Sequence, residues 1–172
     1  MIEDLFYNNP TRKAALKNHA DEYARIVDVV RRYSVLYGAR GVSFVCRRLS
    51  GSGSGGGAAA GVPDVHARGG SLENIRSAFG AQVAQQLRPL LLEAREAGEE
   101  GLQCRVEGLV SDASLCASSS SSGGGGGSSG GTFVFFVNGR LVDFPALRRA
   151  LGGVYGEALP RTARPFVFLS LE

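Results

Sequence analysis

Seventeen of the 19 basic side chains in this 172-residue chain are arginines. Three of them stand where the local pattern pushes them out of a core. Phe135-Phe136-Val137-Asn138-Gly139-Arg140 reads as an apolar strand ending in Asn-Gly, a strong hairpin signal. The turn projects Arg140 at the exposed end of that strand. Arg148 and Arg149 follow on a predicted helix whose apolar stripe runs through Phe144, Leu147, Leu151 and Val154. Lying one and two positions past Leu147, both leave the stripe and face solvent. Guanidinium groups at one edge, with only Asp143 as a nearby acid, suit phosphate, because their planar fork meets two oxygens at once. Arg12 and Lys13 form a second basic site, in the first turn of a helix predicted to open at Asn9-Pro10. Cations there oppose the helix dipole, and a nearby anion would offset that cost.

Other chemistries find no residues to carry them. The sequence has no Cys-x-x-Cys and no His-Glu-x-x-His, and His19 and His66 are isolated, so no metal site is expected. Residues 51–56 fit G-x-G-x-x-G and residues 126–130 fit G-x-S-x-G. Both lie in Ser/Gly tracts, without the acidic partner, helix opening or strained elbow those signatures require, and no Walker lysine follows either. Cys46, Cys104 and Cys116 are odd in number and widely spaced, which suggests free thiols in a reducing compartment. The apolar runs fall far short of the ~20 residues that span a bilayer. The opening MIEDLFYNNP carries acids early and lacks a secretory pattern, so neither a membrane nor a secretory route is expected.

The net charge is +3, but it is unevenly distributed. The first 50 residues and the last 41 are basic on balance, and the middle is acidic. Thirteen of the 25 glycines fall in two stretches, Ser50–Gly61 and Ser118–Gly131, which read as flexible inserts that bury no apolar area. What remains has ordinary composition, and 44% hydrophobic residues suffice for one core at this length.

The elements that must position the arginines follow from periodicity. Ile2–Tyr7 reads as a strand end, followed by the helix capped by Asn9. Asn18, with Asp21 three residues on, caps a second helix bearing Tyr23, Ile26, Val27, Val30 and Tyr33 on one face and ending near Gly38. Residues 42–48 alternate as a strand. Ser71 caps a helix with Leu72, Ile75, Ala78 and Phe79 on one face, which Gly80 ends. Ala81–Leu87 is expected to be a short helix that Pro89 limits. Gly101–Asp112, Thr132–Val137 and Phe166–Leu171 are expected strands, with a helix through Phe144–Tyr155. Four or five strands and four helices make an α+β fold: a mixed sheet with helices in two layers. Its expected core is Tyr23, Ile26, Val30, Phe44, Ile75, Phe79, Val134, Phe136, Leu147, Leu151, Phe166 and Phe168.

Five separated blocks, in this order, resemble the MutL family of DNA mismatch-repair proteins, most closely the Mlh type. Leu5–Lys13 resembles the family's L-F-Y-N-x-P-x-R junction. Glu22-Tyr23, Ile26 and Arg32-Tyr33-Ser34 resemble the helix after it. Ser71–Gly80 resembles N-I-R-x-x-F-G, Phe136–Leu141 resembles F-x-N-x-R-L, and Leu159–Glu172 resembles the strand that follows.

The resemblance implies that residues 1–9 are the end of a GHKL ATPase domain. Residues 10–172 would be the transducer domain, truncated at its C-terminal end, with the inserts at 50–61 and 118–131. The implied fold is the ribosomal-protein domain-2-like transducer fold of GHKL ATPases, with a left-handed β-α-β crossover. The family's E-x-x-x-N and D-x-G-x-G motifs are not in the sequence, so no catalytic residue and no cofactor are assigned here; ATP and magnesium belong to the parent protein. Arg161 does not replace the family's nucleotide-reaching lysine, because it precedes the last strand. The implied partners are duplex DNA, a second MutL homologue of the Pms type and a MutS-type mismatch sensor, and the implied location is the nucleus. The family's basic DNA contact just after the N-G-R turn aligns with Pro145 here, which moves the DNA-binding assignment to Arg140, Arg148 and Arg149, with Arg12 and Lys13. Two other readings compete: a stand-alone nucleic-acid-binding α+β module, and a GHMP-kinase-like enzyme, which would need a phosphate loop opening a helix.

Overall fold

The computed structural model describes residues 5–16, 18–48, 64–95, 103–113, 131–159 and 164–172. Along these residues run α1 (Pro10–Ala15), α2 (His19–Gly38), β1 (Phe44–Cys46), β2 (Val65–Ala67), α3 (Ser71–Phe79), α4 (Ala81–Gln85), β3 (Leu87–Arg95), β4 (Gln103–Ser111), β5 (Thr132–Val137), β6 (Arg140–Val142), α5 (Pro145–Ala158) and β7 (Phe166–Leu171). The inserts, apart from Gly131, lie outside the described residues, as do Ile2, Cys116 and Arg161.

TFVFFV and FVFLSL have almost no polar alternation, and such strands stay in place only with both faces covered. They become β5 and β7, a parallel pair at the heart of a five-stranded sheet ordered β3-β4-β7-β5-β6. The other pairings in that sheet are antiparallel, so it is mixed, and α5 lies in the crossover between β5 and β7. Alternate residues of the two central strands face opposite ways. Val134, Phe136, Phe166 and Phe168 pack with Val35 and Leu36 of α2, Ile75 of α3 and Ala84 of α4. Phe133, Phe135, Val167 and Leu169 face Leu147, Leu151 and Tyr155 of α5. The α+β class with a mixed sheet is as read from the sequence, but the layering goes one further, with helices on both faces. Gly108 lets β4 come close to β7: a Cβ there would collide with the Phe168 carbonyl oxygen.

Helix α2 is long enough to serve two cores. Its last turns lie on the sheet, while Val27, with Tyr23 and Val30, packs on the antiparallel β1-β2 pair. Asn74 joins α2 to α3 from a buried position. Its Nδ2 donates to the Ser34 and Gly69 carbonyls, both at 2.8 Å, and its Oδ1 accepts from Gly69 N–H at 3.3 Å. The three bonds fix the Asn74 amide against the backbone of α2 and of the Gly69 turn, and leave neither of its polar atoms buried without a partner.

Several expectations need correction. Leu5–Asn8 is a turn, not a strand end, with Phe6 in the left-handed region at φ 63. The strand expected at 42–48 is only Phe44–Cys46, and β2 was not foreseen. The helix expected through Leu87 stops at Gln85, and the nine-residue β3 replaces the break expected at Pro89. Gln86 C=O accepts from Asp112 N–H, so alternation turns the Pro89 nitrogen to the outer edge, where no donor is needed. Gly70, not Ser71, is the N-cap of α3; the Ser71 hydroxyl donates instead to the Val35 carbonyl at 2.6 Å. Ile26 is 53% exposed, Leu72 48% and Val154 65%, and Phe144 caps α5 from an exposed position. Val35, Leu36, Phe133, Phe135, Val167 and Leu169 are buried although the expected core omitted them.

Candidate nucleic-acid interface

The turn after β5 is built by its two residues. Asn138 (φ 49) and Gly139 (φ 75) are both left-handed, the pattern of a type I′ hairpin whose twist matches the flanking strands. Arg140 then opens β6 opposite Val137. Leu141 faces the α2 side of the sheet and Val142 the α5 side. By alternation Arg140 shares the side of Val142, so its side chain leaves the sheet on the face that carries α5. It is exposed and makes no ion pair among the described residues.

Helix α5 presents the other two arginines on that same side of the sheet. Arg148 Nη2 lies 3.1 Å from Asp143 Oδ1, an exposed pair. Such a pair contributes about 0–1 kcal/mol and is readily exchanged for a phosphate. Arg149 is exposed, and its Nε donates to the Pro145 carbonyl at 3.4 Å. The side of the sheet that carries α5 therefore bears three exposed guanidiniums, of which Asp143 engages one.

Arg12 and Lys13 sit elsewhere. They belong to α1, which the Asn9 side chain caps by accepting from Arg12 N–H at 3.1 Å. The Arg12 guanidinium lies over the Phe6 ring at 5.7 Å. Between α1 and the Arg140 turn runs α2, which at 20 residues is ~30 Å long. Among the described residues, no hydrogen bond or ion pair joins the two basic regions.

A third polar group fastens β1-β2 to α2. Tyr23 OH donates to the Asp64 carboxylate, Cys46 Sγ lies 3.9 Å away, and the Arg48 guanidinium covers the ring at 5.7 Å. The bond to Asp64, helped by burial, raises the Tyr23 pKa above its ordinary value. Cys46 and Cys104 are free thiols. Among the described residues, no group of three or more His, Cys, Asp and Glu could hold a metal ion, and the two glycine patterns fall outside them. No helix of the described residues is long and apolar enough to cross a membrane.

Two residues at the turn escaped sequence reasoning. Tyr37 OH donates to Gly139 C=O at 3.2 Å, and Leu141 N–H donates to Tyr33 OH at 3.4 Å. In the sequence Tyr33 belongs to the apolar stripe of α2 and to a MutL-like block, and neither assigns its hydroxyl a partner. No local pattern could reveal these bonds, which link residues 102 and 108 positions apart.

Residues 75–172, which include the turn, both arginines of α5 and the central strands, match the family described as DNA mismatch repair protein, C-terminal domain. The chain belongs to the MutL family of DNA mismatch repair proteins. Its sequence is of the Mlh type. DNA mismatch repair protein MLH1 of Saccharomyces cerevisiae is 32% identical over 171 residues, 99% of this chain and 19% of that protein. The putative MutL protein homolog 1 of Schizosaccharomyces pombe is 32% identical over 99% of this chain and 22% of its own length. DNA mismatch repair protein PMS1 of Arabidopsis thaliana is 29% identical over 93% of this chain. The chain thus spans about a fifth of the length of its first curated relatives. A solved N-terminal domain of a DNA repair protein shares the fold, with a TM-score of 0.67 over 97% of this chain and 47% of that one, at 23% identity.

The MutL-like blocks fall on joints. The L-F-Y-N-x-P-x-R block makes the turn into α1, the N-I-R block supplies the Asn74 clamp, and F-x-N-x-R-L makes the β5-β6 hairpin.

Proposed function

We propose that this chain acts in DNA mismatch repair as the transducer domain of a MutL homologue, coupling ATP-driven clamp closure elsewhere in the protein to binding of the DNA backbone. Residues 1–9 are then the end of the ATPase domain, and residues 10–172 belong to the transducer. The observation that carries the DNA-binding part is Arg140, held out on a left-handed turn, with Arg148 and Arg149 on the same side of the sheet. Arg12 and Lys13 form a separate, weaker basic contact. The binding is to phosphates, hence independent of sequence and sensitive to salt. ATP and magnesium are held outside these residues. The proposed partners are a Pms-type subunit and a MutS-type mismatch sensor, and the proposed location is the nucleus.

A triple Arg140, Arg148 and Arg149→Glu variant, titrated against duplex DNA across a salt series, tests the reading. Each lost contact flattens the slope of log K against log salt by ~0.9. Unchanged affinity and slope in a folded variant would leave these arginines as ordinary surface charge. The purified chain is also expected to show no ATPase activity; metal-dependent turnover above a heat-killed control would overturn that.

A further inference from the structure

We infer that Tyr33 and Tyr37 are positioning residues for Arg140, a role that rests on the DNA contact proposed for that arginine. Gly139 and Leu141 are its two chain neighbours, and each has one backbone group held by a tyrosine hydroxyl. Tyr37 OH donates to Gly139 C=O at 3.2 Å, and Tyr33 OH accepts from Leu141 N–H at 3.4 Å. In a hairpin with a two-residue turn, Val137 and Arg140 form the hydrogen-bonded pair, so Leu141 N–H points away from β5. β6 is the edge of the sheet, and without Tyr33 that donor would face solvent.

The hydroxyls are themselves well placed. Tyr33 and Tyr37 are four residues apart on one face of α2, with rings stacked at 6.1 Å. The Tyr33 ring meets the fully buried Phe136 ring edge-on at 5.2 Å. The Arg40 guanidinium lies over Tyr37 at 5.4 Å. A Cβ on Gly139 would lie 3.0 Å from the Tyr37 oxygen, so the turn and the hydroxyl are closely fitted.

The two sides of the sheet then divide the work. α2 grips the turn backbone from one face, and Arg140 emerges on the other, beside α5. A bidentate guanidinium–phosphate contact depends on direction, and fixing the backbone on both sides of Arg140 lowers the ordering entropy of binding. Phenylalanine at either position keeps the ring and removes only the hydroxyl.

The test compares four forms of the chain on a mixed-sequence DNA duplex across a salt series: wild type, Arg140→Gln, Tyr33→Phe with Tyr37→Phe, and the combination of all three. Arg140→Gln is expected to flatten the slope by ~0.9. The double phenylalanine variant is expected to flatten it by part of that amount, and the combination no further than Arg140→Gln alone. Amide exchange of Leu141 should speed up in the phenylalanine variant, while that of Val134 and Phe168 stays slow. A wild-type slope in the double variant, with Arg140→Gln flattened, would overturn the positioning role and leave the DNA contact standing. An unchanged slope in Arg140→Gln would overturn the contact, and the positioning role with it. If the double variant fails to melt cooperatively, Tyr37→Phe alone is read by the same outcomes.

Discussion

The two basic regions of this protein carry the same kind of side chain on very different supports. Arg12 and Lys13 ride on α1, a six-residue helix that buries nothing and is held by one asparagine cap. Arg140 stands on a hairpin rooted in Phe136, one of the least accessible side chains of the structure, and gripped by α2 across more than 100 residues of sequence. The number of charges is therefore a poor guide to a binding site. What distinguishes the two is how rigidly the backbone behind the cation is held, because an ordered contact needs less ordering on binding.

Breaking the support should separate the two regions most. Phe136→Ala is expected to lower stability by ~3–5 kcal/mol, a large share of what a domain of this size possesses. Its measure is denaturant unfolding, and a variant that melts like wild type would show that the hairpin does not depend on the core. No substitution within α1 should approach that figure.

A smaller loss follows from Asn74→Ala, which removes the side-chain bonds to the Ser34 carbonyl and the Gly69 backbone and loosens α3 from α2. About 1–3 kcal/mol is expected. If the α2 joint supports the Arg140 hairpin, amide exchange at Leu141 should quicken in this variant; unchanged exchange would confine Asn74 to the α2-α3 contact.

The α1 side of the comparison is tested by Asn9→Ala. Loss of the cap is expected to reduce local helix stability by ~1 kcal/mol. Exchange of the α1 amides should rise while global unfolding and the Leu141 amide stay as in wild type. A matching drop in global stability would mean that α1 is docked more firmly than its exposure indicates.

Charge removal sharpens the same contrast with a milder perturbation. Arg140→Gln should flatten the salt dependence of DNA binding by ~0.9. Arg12→Gln should flatten it less, since a frayed helix places its cation less often on a phosphate. Equal slopes for the two variants would erase the distinction.

The smallest expected effect is a pH response at the β1-β2 fastening. Tyr23 holds its proton more tightly in the fold than in the unfolded chain, because its hydroxyl bonds to Asp64. Above its ordinary pKa of 10.0 the unfolded state loses that proton first, so stability from this bond is present below pH 10 and falls as pH rises beyond it. Tyr23→Phe should unfold with a shallower decline above that pH; parallel curves would remove the coupling.

Local signals in the sequence determined a good deal. β5 and β7 have the predicted bounds, because two apolar runs without alternation can only be central strands here. The caps at Asn9 and Asn18, the stop at Gly80 and the Asn-Gly turn depend on a few adjacent residues, whose side-chain bonds and allowed φ are local properties. Arg140, Arg148 and Arg149 were legible as exposed for the same reason. Long-range packing decided the remainder. Which stripe of α2 is buried depends on where β1-β2 and the sheet lie, so Ile26 stays exposed while Val35 and Leu36 enter the core. β3 exists because pairing with β4 puts it at an edge with the Pro89 nitrogen outward, and proline seen alone signals a break. The pairing of Asp143 with Arg148, and of two tyrosines with the backbone around Arg140, needs residues that only the folded chain brings within hydrogen-bond reach.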